Sequence, residues 1–73
     1  MSNSLKIEKY NLSKKSASDL EHYIQLINVD IDIYKSQIKN YPEDRMEKCG
    51  IPFLNRLTNL LTKVEEALEN TNE

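Results

Sequence analysis

The stretch LEHYIQLINVDIDIYKSQIKNY, residues 20–41, carries Leu20, Ile24, Ile27, Ile31, Tyr34, Ile38 and Tyr41 at alternating intervals of four and three. This repeat averages about 3.5 residues, the period of a helix that packs on other helices, and it runs unbroken through about three heptads. Inside it, Val29-Asp30-Ile31-Asp32-Ile33 alternates as a strand would. The helical reading prevails because the longer period continues on both sides of that run and no glycine or proline bounds it. Tyr23, Leu26, Val29 and Ile33 are apolar too, and they lie off the seam. One narrow contact would not cover them, so a bundle of three or four helices is the expected setting.

Upstream, Ser18-Asp19-Leu20-Glu21 has the form of a capping box, with Ser16 as the alternative cap. Downstream, the helix is expected to end near Lys39 or Asn40. Pro42 disfavours helix at Tyr41 and suits the first turn of a new helix, whose dipole Glu43 and Asp44 complement. A chain reversal belongs there. A second apolar series follows, with Met46, Cys49, Phe53, Leu57, Leu60, Val64 and Ala67 on one stripe and Leu54, Leu61 and Leu68 widening it. Gly50 and Pro52 interrupt that series, which leaves two readings: a short helix over 42–49 and another over 52–69, or one kinked helix. The break is favoured, with Gly50 as a left-handed C-terminal cap.

The expected fold class is therefore all-α: an antiparallel helical hairpin over residues 16–70, its second helix broken or kinked near Gly50-Pro52, forming a dimeric helical bundle. Residues 1–15 show no sustained period and read as a flexible basic arm, and residues 71–73 as a disordered tail.

A chain of 73 residues forms one domain at most, and at that size stability usually draws on disulfides, metal or a partner chain. Cys49 is the only cysteine and His22 the only histidine, which argues against a disulfide scaffold and a structural zinc site and leaves oligomerisation, with a homodimer expected. No signal-peptide h-region opens the chain and no apolar run approaches the length of a membrane span. The expected location is cytoplasmic, in a bacterium or an infected host cell. Charge is uneven: residues 1–18 carry a net +3, residues 19–41 a net -2 and residues 42–73 a net -3. Four lysines without an arginine or a groove-reading helix make a weak nucleic-acid signal.

Side chains able to do chemistry are few and scattered. His22 lacks a second ligand or a substrate pocket. Asp30 and Asp32 point away from one another on a helix and cannot form a carboxylate pair; Asp30 falls at a seam-flanking position where a charge selects partner register. Glu43, Asp44 and Glu47 lack calcium-loop spacing and serve the helix dipole. Cys49, within the apolar series, reads as a buried thiol filling a small space. Tyr23, Tyr34 and Tyr41 sit on the seam or at its edge, positions suited to an interface or the hairpin end.

The expectation is a non-catalytic protein-protein interaction module, a small adaptor, chaperone or inhibitor of bacterial or phage type that acts through a helical face. Self-association would use Leu20, Ile24, Ile27, Ile31, Tyr34, Ile38, Leu57, Leu60 and Val64. A partner would meet Tyr23, Leu26, Ile33, Phe53 and Leu54. The alternative is a small dimeric nucleic-acid-binding regulator using the basic arm. No cofactor, metal, membrane or small-molecule substrate is expected.

Overall fold

The computed structural model of the chain describes residues 3–71. Two long helices pack along each other, α1 (Ala17–Ile38) and α3 (Ile51–Thr71). Between them lie a reversal, the short α2 (Glu43–Arg45) and a π-helical turn (Met46–Gly50). Ahead of α1 come two 3-10 turns, Asn3–Lys9 and Leu12–Lys14, and no strand forms among the described residues. The end of α1 lies beside the start of the second helical stretch, since the Tyr34 hydroxyl donates to the Cys49 carbonyl oxygen at 3.2 Å. Ser16 at the start of α1 and Thr71 at the end of α3 line one hollow, so the helices run antiparallel.

Ser16, not Ser18, caps α1: its Oγ accepts from the Asp19 N–H at 3.2 Å. The helix consequently starts one residue ahead of Ser18, at Ala17, and it reaches Ile38 before the Tyr41 N–H closes a turn on the Ile38 carbonyl at 2.9 Å. Pro42 holds extended geometry as the N-cap of α2, with Glu43 and Asp44 in the first turn, where acids offset the positive end of the helix dipole.

Gly50 does not cap a helix. No glycine among the described residues has positive φ, and α2, the π turn and α3 follow one another without a gap. Pro52 explains the π turn. A proline inside a helix lacks its N–H and presses its ring against the carbonyl four residues back. Lengthening the preceding turn by one residue, with the Ile51 N–H donating to the Met46 carbonyl, relieves both problems without ending the helix. The inward position before Phe53 is Gly50, not Cys49. The inward series becomes Met46, Gly50, Phe53, Leu57, Leu60 and Val64, at intervals of four, three, four, three and four. Cys49, expected to be buried, is exposed.

The core gathers Leu20, Ile27 and Ile31 of α1, Leu57, Leu60 and Val64 of α3, and Ile7 of the first 3-10 turn. Each such side chain contributes roughly 1.5–3 kcal/mol by leaving water. Ile38 is buried beyond this cluster, its Cδ1 within 3.5 Å of where a Cβ on Gly50 would stand. The seam is thus closed within a single chain; Ile24 and Tyr34 are half-buried and the rest of the nine seam residues are buried.

Residues 3–14, read from the sequence as part of an arm, lie against the hairpin. Ser4 and Ile7 are buried, and Leu5 and Leu12 pack on the core. In a 3-10 helix, residues three apart share a face, which aligns Ser4, Ile7 and Tyr10. Polar and ring contacts also tie these turns down. The Ser4 N–H donates to Asp30 Oδ2 at 3.1 Å, Glu8 Oε1 meets Arg56 Nε at 2.9 Å, and the Tyr10 ring lies 5.5 Å from that of Tyr23.

Candidate functional site: an uncovered strip on α1 and a groove beside α3

With the N-terminal turns in place, one apolar region of α1 stays in water. Leu26, Val29 and Ile33 are 40%, 54% and 51% exposed. At roughly 100° per residue they project within about 60° of one another along two turns of helix, with exposed His22 in the same arc. Leaving three large aliphatic side chains wet on one strip forgoes a few kcal/mol of burial. Scattered apolar residues on a surface need no explanation, whereas an aligned set is a candidate contact face. The strip sits on the side of α1 next to Asp30, which bonds the first 3-10 turn. Asp30 is therefore engaged within the chain.

The five residues expected to meet a partner fall into two groups. Leu26 and Ile33 lie on the strip, while Tyr23, Phe53 and Leu54 are half-buried against the core. Tyr23 is held by Tyr10, and Phe53 packs on Tyr34 with ring centroids 4.6 Å apart. Val29 completes the strip. Its spacing, three from Leu26 and four from Ile33, was the signal that identifies it.

At the reversal, Tyr34 lies in a cluster with Phe53, Tyr41, Cys49 and Arg45. The Arg45 guanidinium lies 4.5 Å from the Tyr41 ring centroid. Burial raises the pKa of the Tyr34 hydroxyl, with Tyr41 and Cys49 adding to the rise and Arg45 opposing it. The exposed thiol of Cys49 adjoins this cluster through its own carbonyl. Among the described residues no group of three His, Cys, Asp or Glu side chains is placed to hold a metal ion, and no helix is long and apolar enough to cross a membrane.

Two shallow hollows of about 340 and 510 Å³ lie between the N-terminal turns and α3. They adjoin, because Leu12 and Lys63 line the first while Ser13 and Ala67 line the second. Sequence reasoning passed over them, since Asn55, Asn59 and Lys63 look like the solvated face of a helix until a second wall stands beside them. No protein-family model, curated protein sequence or solved structure matches the chain.

Proposed function

We propose that the chain is a non-catalytic protein-binding module that presents the outer face of α1 to another protein. The exposed strip of Leu26, Val29 and Ile33 carries this reading. It is rigidly displayed, since the opposite side of α1 is fixed in the core by Leu20, Ile27 and Ile31, so docking costs little ordering entropy. A partner helix laid along it would bury anchors at one, four and eight, the pattern of helix-in-groove recognition. Because the seam is already closed inside one chain, a second copy is an alternative occupant of this strip.

The test is retention of lysate proteins by the immobilised full chain, compared with Leu26→Ser and Ile33→Ser, alongside melting and sedimentation of all three. Both substitutions lie on exposed positions, so melting should stay near the parent's. A protein retained by the parent and lost with either variant is the expected result. Retention unchanged in both variants would overturn the reading, and so would a loss of binding that follows a loss of melting temperature. Sedimentation separates the occupants: a concentration-independent mass of 8.5 kDa assigns the strip to a different protein, and a doubled mass that reverts in the variants assigns it to a second copy.

A further inference from the structure

We propose that the groove between the N-terminal turns and α3 binds an extended, acidic peptide segment of another protein, its main-chain amides taken by Asn55 and Asn59 and its carboxylates by Lys63 and Lys14. This site is separate from the strip on α1 and does not depend on it.

Charge singles the groove out. The chain carries a net -2, yet the two hollows are lined by four bases, Lys14, Lys15, Arg56 and Lys63, against one acid, Glu8. Glu8 is spent on Arg56 at 2.9 Å, and Lys15 extends over the Tyr10 ring at 5.0 Å. Lys14 and Lys63 remain at the two walls. An acidic ligand is the complement.

Spacing selects an extended chain. Asn55, Asn59 and Lys63 succeed one another at intervals of four along α3, so each side chain stands about 6 Å above the last on nearly one face. Alternate residues of an extended peptide repeat at about 6.6 Å. A carboxamide offers a donor and an acceptor together and can close a paired hydrogen bond with a peptide's N–H and C=O. Two carboxamides one helical turn apart thus meet two successive same-side amides of a strand. The apolar floor of Ile7, Leu12 and Leu60 then receives the side chains that point inward. From Asn55 to Thr71 the lining covers about 24 Å of helix, enough for roughly seven extended residues. A nucleic-acid strand is the less favoured anion, because its phosphates offer the Asn55 and Asn59 carboxamides no paired N–H and C=O.

The experiment is an amide-detected NMR titration of the isotopically labelled full chain at low salt. The probe is a pool of acetylated, amidated heptapeptides randomised over Asp, Glu, Leu and Val. Saturable shifts at the main-chain and side-chain amides of Asn55 and Asn59 are expected, and a backbone N-methylated pool should produce none. The double variant Asn55→Ala/Asn59→Ala should weaken binding by about tenfold or more, and Lys63→Glu by about fivefold. Alanine favours helix over asparagine, so melting of the double variant should not fall, and Leu26→Ser should leave the titration unchanged. The proposal is overturned by absence of shifts with the pool near about 1 mM, by shifts confined to the α1 strip, by undiminished affinity in the double variant, or by tighter binding of oligothymidylate than of the peptides.

Discussion

The backbone N–H of Ser4 is satisfied by the carboxylate of Asp30, 26 positions along the chain, at 3.1 Å. Ser4 is buried, so removing that acceptor strands a donor away from water. Asp30→Ala should cost about 1–3 kcal/mol and raise the exchange rate of the amides in residues 4–9. Asp30→Asn, which keeps an oxygen in place, should cost less. Equal stability of the parent and Asp30→Ala in urea melts would show that the contact does not hold the N-terminal turns.

Replacing core and strip residues on the same helix should separate packing from display. Ile27→Ala removes a fully buried side chain and should lower stability by about 2–5 kcal/mol. Ile31→Asp, which also buries a carboxylate, should unfold so small a domain outright. Asp32→Ala, on the exposed face, should shift it by no more than about 0.5 kcal/mol. Thermal melts followed by circular dichroism read all three.

Gly50 faces Met46, whose Sδ would stand 2.8 Å from an added Cβ, and Ile38 at 3.5 Å. Gly50→Leu should overpack this end of the hairpin and cost about 1–3 kcal/mol. In Gly50→Ala the flexible Met46 side chain can turn aside, and the helical preference of alanine, about 0.5–1 kcal/mol, offsets the shift. Its melting temperature should stay close to the parent's.

Tyr34 makes stability fall at alkaline pH. Its folded pKa lies above the ordinary 10.0, chiefly through burial, so the folded state holds the proton more tightly than the unfolded chain does. The contribution is complete below pH 10.0 and is lost as pH rises through the higher folded value. Ultraviolet titration should show a tyrosine step above the ordinary value, and in Tyr34→Phe that step should vanish together with its share of the alkaline loss. A parent and variant with the same alkaline profile would refute the assignment.

The seam of α1 was legible because intervals of four and three leave few alternatives, and Pro42 marked the reversal that follows it. Cys49 misled because an interval of four or of three back from Phe53 fits a helical stripe, and only the first meets a side chain. The inward position is Gly50, at the interval of three, a residue without a side chain to register in any apolar pattern. The N-terminal turns were hidden for a related reason: Ser4, Ile7 and Tyr10 repeat every three residues, a period shared by neither α-helix nor strand, and one of them is polar. The strip on α1 was visible in part, since Leu26, Val29 and Ile33 all read as off-seam but only Leu26 and Ile33 were expected at a partner. Whether they faced water depended on how far the N-terminal residues would wrap, which no local spacing encodes.

The 3-10 turns at the start of the chain also set an order of events in folding. The hairpin closes near its own reversal, where Tyr34 and Cys49 are 15 residues apart, whereas Glu8 must find Arg56 across 48. Longer closures cost more chain entropy and come later. The first turns are therefore expected to dock last and open first, a local unit whose release would leave the two long helices paired. One wall of the groove beside α3 belongs to that unit. Its lifetime, more than the stability of the hairpin, governs how long the groove exists.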